Sequence, residues 1–166
     1  MKKALNPKKS GYAFWIHRNN EHYIGTSCFA IRVPEVTDDL RKALAAHKIF
    51  EPNTRNTGLV VTDAGSIQVE RVLFPQNKPS HQLIETPLLH ESEKSQYRIF
   101  LYQDGSNVYV DDLYLRAIKQ FHSQGIWFSN QHIRGSLYLY AGEDKPVAIL
   151  LPVILHEKKY EVKVIT

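Results

Sequence analysis

Two pairs of aspartates are the first residues in this chain to weigh as chemistry. Asp38-Asp39 and Asp111-Asp112 each place two carboxylates side by side, the residue type a metal-dependent nuclease would use. Each pair also stands directly before an apolar pattern of helical period. A carboxylate there accepts from free backbone N–H groups and opposes the positive end of the helix, so capping accounts for both pairs. The eight histidines raise the question of zinc, with His17 and His22 flanking one loop and His81 and His90 another. No cysteine partner and no His-x-x-x-His spacing joins them, so surface histidines are expected, with no metal and no cofactor. Serine, histidine and aspartate occur without a nucleophile elbow. The glycines are scattered singly, which leaves no phosphate loop. Trp15 and Trp127 have the rings to stack on bases, but both lie in strand-like runs and are expected in the core. No enzymatic activity is expected.

The elements that would position such residues begin with Val108–Gln124, VYVDDLYLRAIKQFHSQ. Tyr114, Ala117, Ile118 and Phe121 stand at i, i+3, i+4 and i+7, one face of a helix. Arg116, Lys119, Gln120 and Ser123 fall on other faces. Asp111 or Asp112 is the expected N-cap, and Gly125 the stop. A second helix is expected over Leu40–Lys48, capped by Thr37, Asp38 or Asp39. Leu40, Ala43, Leu44 and His47 face inward, Arg41 and Lys48 share an outer face, and Lys42 lies beside it.

Strands account for most of the rest. Tyr12–Ile16 and His22–Val33 read as a hairpin about a polar turn with two asparagines, ended by Pro34. Leu59–Thr62 and Ile67–Phe74 flank a tight Asp63-Ala64-Gly65 turn. Tyr97–Gln103 and Asn107–Val110 flank Asp104-Gly105, a strong hairpin signal. Ile126–Ser129, Leu137–Tyr140 and a buried strand over Val147–Leu155 follow, and Tyr160–Ile165 alternates like an edge strand whose lysines discourage association. Residues 76–96 carry Pro79, Pro87 and several charges and read as a connector, with Leu83, Ile84, Leu88 and Leu89 available to dock on the core. Residues 1–11 read as a flexible basic arm.

Composition sets the outer bounds. A chain of 166 residues fits one domain, or two very small ones, and 43% hydrophobic content supports a proper core. The net charge of +4 permits an anionic partner without requiring one. A single cysteine, Cys28, excludes an intramolecular disulfide and is expected as a buried small hydrophobe, which points to a reducing compartment. The start lacks a signal-peptide core, and the longest apolar run is far short of a membrane span. A soluble, cytoplasmic protein with no membrane partner is expected.

The two halves share an order of elements. Asp38-Asp39-Leu40 recurs as Asp111-Asp112-Leu113, Tyr23 as Tyr97, and Phe74-Pro75 as Leu151-Pro152, at offsets that drift only slightly. Two copies of one supersecondary unit produce that pattern, as does coincidence helped by capping. The expected fold class is α+β, a mainly antiparallel sheet made from two similar strand-strand-helix-strands halves, about 12–75 and 97–155 with the connector 76–96 between them.

The second half resembles the closing unit of DNA sliding clamps, the processivity factors of replication. The residues that carry the likeness are VYVDDLYLRAIKQF, IWFSN, GSLYLYAG and VAILLPVIL. In the first half, IRVPEVTDDLRKAL resembles the strand and following helix of a clamp domain, and ERVLFPQNKPSH the stretch that ends one. The resemblance implies that residues 12–166 form a single clamp-like domain with both helices on one face, turned toward duplex DNA. Arg41, Lys42, Lys48, Arg116 and Lys119 would then contact phosphates without reading bases. It also implies an apolar pocket for partner peptides at Pro75, Ile149, Leu151 and Val153, positions that core strands would equally select. The function so implied is non-specific binding of duplex DNA, docking of replication proteins, or both. A ring would require a homo-oligomer. A protein–protein interaction module with no nucleic-acid role is the alternative, using an exposed sheet edge or the same pocket.

Overall fold

The computed structural model describes every residue except 53–56, 70–78, 93, 132–134, 156–160 and 165–166. Pro75 and the second half of the expected strand Ile67–Phe74 therefore lie outside the described residues. The chain divides into two compact units, Met1–Phe74 and Pro75–Thr166. Strands dominate, and among the described residues their pairings within each unit are antiparallel. Three helices accompany them among the described residues, so the class is α+β. No helix among the described residues is long and apolar enough to cross a membrane.

The first unit begins with a short helix, α1 (Pro7–Ser10), and a meander of three strands, β1 (Tyr12–Arg18), β2 (Glu21–Thr26) and β3 (Phe29–Val33). Asn19 and Asn20 both take positive φ, 52° and 63°, and Arg18 pairs with Glu21. That is the two-residue turn whose twist suits a hairpin, and asparagine tolerates it better than most residues. The expected single strand His22–Val33 is two strands. The chain reverses at Ser27-Cys28, and Gly25 allows the reversal. A Cβ on Gly25 would lie 2.1 Å from the Phe29 carbonyl oxygen. Cys28 is accordingly a half-buried turn residue and not a core hydrophobe. Helix α2 (Asp38–Ala45) follows, then β4 (Thr57–Thr62) returns to pair with β1, and β5 (Gly65–Val69) pairs with β4. The order across this sheet is β5-β4-β1-β2-β3.

The expected flexible arm is packed. Ala4 and Leu5 are fully buried, Pro7 is buried, and Asn6 caps α1 by accepting from Lys8 N. The single Ser10 hydroxyl proton has two carbonyls within reach, Tyr12 at 3.0 Å and Asn6 at 3.2 Å. Basic charge suggested a solvated tail, but Lys2, Lys3, Lys8 and Lys9 are exposed while residues between them bury apolar area.

The second unit opens with β6 (His81–Glu91), the longest strand among the described residues, inside the stretch expected to be an irregular connector. Pro87 made that stretch read as irregular. Its register with β7 (Gln96–Tyr102) shifts between Glu85 and Leu89, so Pro87 falls where ladder bonds are already interrupted. Thr86 closes the irregularity, with Oγ1 donating to the Ile99 carbonyl at 2.8 Å and accepting from Leu88 N. Next come β8 (Asn107–Asp111), helix α3 (Asp112–Lys119), β9 (Ile126–Ser129), β10 (Leu137–Tyr140) and β11 (Ala148–Leu150). The order is β11-β10-β9-β6-β7-β8. β12 (Glu161–Val164) pairs with the far end of β6, opposite Leu88–Glu91, beyond the three residues that β9 covers.

Two boundaries differ from expectation. Helix α3 ends at Lys119, a turn before Gly125, because Phe121 and His122 N–H groups close back on Ile118. The strand expected over Val147–Leu155 is only three residues long. Leu151 and Ile154 are exposed, and Val153 leaves the sheet order to bridge to Tyr109.

Candidate nucleic-acid interface

Helix α3 is built as its period dictates. Tyr114, Leu115, Ala117 and Ile118 are buried, and Asp111 Oδ1 caps the helix by accepting from Leu113 N at 2.8 Å. The neighbouring Asp112 is not a cap. Its side chain is 3% exposed and lies between two arginines, 2.8 Å from Arg98 Nη2 and 2.8 Å from Arg116 Nε. Arg98, on β7, also reaches Glu85 on β6 at 2.9 Å, and Lys119 reaches the same Glu85 oxygen at 2.6 Å. Three cations and two carboxylates thus form one network that ties α3 to β6 and β7. Arg116 and Lys119, the expected phosphate contacts of this helix, are both engaged in it. The network leaves one net positive charge, below the two that a bare helix face would offer.

Helix α2 presents a freer set. Thr37 is its N-cap, accepting from Leu40 N, and Leu40 and Leu44 are buried. Asp38 and Asp39 are both exposed, so neither aspartate pair forms a closed carboxylate cluster. Lys42 is 80% exposed and touches Asp39 only at 4.0 Å. Lys48 is exposed just past the helix, at a φ of 61° that turns the chain toward the buried Ile49. His47 Nε2 donates to the Lys2 carbonyl at 2.8 Å, which brings the lysine-bearing N-terminal segment to the end of α2. Arg41 is different. It forms an ion pair with Glu51, and its guanidinium lies 5.5 Å from the centre of the Trp15 ring.

The expected pocket residues that are described stand in different settings. Ile149 is a half-buried strand residue opposite Tyr138, Leu151 is exposed, Val153 is the bridge to Tyr109, and Pro75 lies outside the described residues. A shallow cleft of about 280 Å³ does exist in this unit, between β6, β9 and the end of α3. Lys119, Ile84, Ile126 and Trp127 line it. Trp15 and Trp127 are themselves buried, which removes them as stacking platforms.

Neither Glu85 nor Arg98 carries a local signal of its role. Glu85 sat in the supposed connector, and Arg98 in a strand where its partners depend on register. The histidines of the first hairpin, expected at the surface, are not there: His22 is buried and His17 half-buried. Among the described residues one group of three could hold a metal ion, His17, His22 and Glu51. The spacing that signals it is i and i+5 about a two-residue turn, which makes the two histidines direct cross-strand partners. His22 titrates below the usual histidine range, because it is buried and because His17 and Arg41 are close, against an opposing pull from Glu51. Compared with known proteins, the chain matches no family model, no curated protein and no solved structure.

Proposed function

We propose that this chain is a non-catalytic, clamp-like module that binds duplex DNA without sequence preference and docks replication proteins. One observation carries the reading. Each unit follows the same path, a three-strand meander, a helix, then a strand that returns to pair with the first strand of the meander. β1, β2, β3, α2 and β4 correspond in order to β6, β7, β8, α3 and β9. A duplicated unit of this kind supports the sequence repeat at Tyr23 with Tyr97 and at Asp38 with Asp111, with the second copy starting at β6 and not at residue 97, and it supports the resemblance to sliding clamps. On this reading Lys42 and Lys48 carry most of the interaction with phosphate, since Arg41, Arg116 and Lys119 already answer to carboxylates. Interactions of this type give affinity without specificity and release counterions on binding.

The test is binding to two unrelated duplexes of equal length across a range of salt. The expected result is equal affinity for both and a steep fall with salt. Reversing Lys42 and Lys48 to glutamate should reduce the log–log slope by about 0.9 for each phosphate that is no longer neutralised. Binding that ignores salt, or no binding at low salt, overturns the DNA reading. A second reading, an interaction module without nucleic acid, is favoured by the exposure of Leu151 and Ile154 beyond β11. Capture of an apolar peptide that Leu151→Asp abolishes, in the absence of any DNA binding, would select it.

A further inference from the structure

We propose that His17, His22 and Glu51 form a binding site for a borderline divalent cation of the zinc type. The Asn19-Asn20 turn places His17 opposite His22. Their rings stack with centres 4.3 Å apart and planes 23° from parallel. β1 is held on both sides, by β2 and by β4, so both histidines stand on rigid backbone. Glu51 arrives from the segment after α2, which is anchored by the buried Ile49. One donor atom from each of the three residues lies within 4.8 Å of the others. Two imidazoles and a carboxylate suit zinc, and three protein ligands leave a fourth position open. Tetrahedral coordination at about 2.1 Å needs the donors drawn in to roughly 3.4 Å of one another. The exposed Glu51 side chain and the half-buried His17 ring must both turn to close that gap, which unstacks the two imidazoles.

Two interactions hold the site in its metal-free form. Arg41 pairs with the Glu51 carboxylate, so an incoming cation must displace one positive charge by another. Trp15 Nε1 donates to His22 Nδ1 at 3.1 Å, which places the proton of the neutral ring on Nε2. Coordination through Nε2 moves that proton to Nδ1 and breaks the bond from Trp15. Zinc and the Trp15 hydrogen bond therefore exclude each other, and the indole becomes a reporter.

The experiment is calorimetric titration of the chelator-treated full chain with zinc chloride at pH 7.5, with tryptophan fluorescence followed in parallel. One zinc per chain is expected, with a fluorescence change and no response to magnesium. His17→Ala and Glu51→Gln should each weaken binding at least tenfold, while His81→Ala with His90→Ala, in the other unit, leaves it unchanged. Arg41→Gln should tighten it, since the competing charge is gone. Wild-type chain that takes no zinc, or variants at His17 and Glu51 that bind as wild type does, overturns the assignment. Should His17→Ala fail to fold, Glu51→Gln, at an exposed position, decides alone.

Discussion

Arg98 on β7 and Asp112 on α3 meet through Nη2 and Oδ1 at 2.8 Å, with the aspartate side chain almost wholly buried. The pair fastens the helix to the sheet, and its burial makes it unforgiving. Removing Asp112 still leaves Arg98 its second carboxylate, Glu85, so the loss is that of charged hydrogen bonds, about 1.5–3 kcal/mol. Asp112→Ala should lower the stability of the chain by that order in urea denaturation. Asp111→Ala, one residue earlier, removes the cap on Leu113 N, a loss of about 1 kcal/mol. Equal costs for the two would show that the network contributes nothing beyond capping.

Leu5 is fully buried in a segment whose lysines suggested a solvated arm. Leu5→Ala should cost about 2–5 kcal/mol, the range for truncating a buried leucine. Lys3→Ala, at an exposed position, should fall within about 0.5 kcal/mol of wild type. Thermal unfolding of the two variants separates a packed segment from a loose one.

Gly25→Ala puts a methyl group against backbone, 2.1 Å from the Phe29 carbonyl and 2.7 Å from Ala30 Cα. Backbone cannot rotate aside as a side chain can. A loss of about 1–3 kcal/mol or more is expected from such overpacking. Gly105→Ala meets no neighbour and is strained only by its φ of 83°, so its loss should be smaller, about 1 kcal/mol. Denaturant midpoints at unchanged m-value would measure both.

Tyr140 titrates above the ordinary tyrosine value, chiefly because of burial, with a smaller contribution from Tyr138. Its unfolded phenol loses its proton near pH 10, whereas the folded one holds it longer. The folded state thus binds more protons above about pH 10, and the stability contributed by the neutral phenol is lost as pH rises through the folded value. Ultraviolet titration of the phenols should lose one late-titrating group in Tyr140→Phe, and that variant should lose less stability between about pH 9 and the alkaline limit. A Tyr140→Phe curve that superimposes on wild type refutes the assignment.

Local physics made much of this chain readable. Helix α3 follows from Tyr114, Ala117 and Ile118 at helical spacing and from Asp111 before them. The β1–β2 turn follows from Asn19-Asn20, and the β7–β8 turn from Asp104-Gly105 with Ser106 bonded back to Asp104. These features depend on residues within a few positions of one another, so the sequence by itself determined them. β6 was hidden because a proline reads as a breaker until a register shift on the neighbouring strand gives it a place. The packed N-terminus was hidden because the lysines around them mask two apolar residues, Ala4 and Leu5.

What only the tertiary structure decided is which charges stay free. Arg116 and Lys119 have the same residue type and helix position whether they face solvent or carboxylate. The choice rests on Glu85 and Arg98, brought from two other strands by pairing that no local pattern encodes. The meeting of His17 and His22 was written in their spacing about the turn. The arrival of Glu51 beside them, from beyond a helix, was not, because it depends on how that helix packs and where Ile49 is buried.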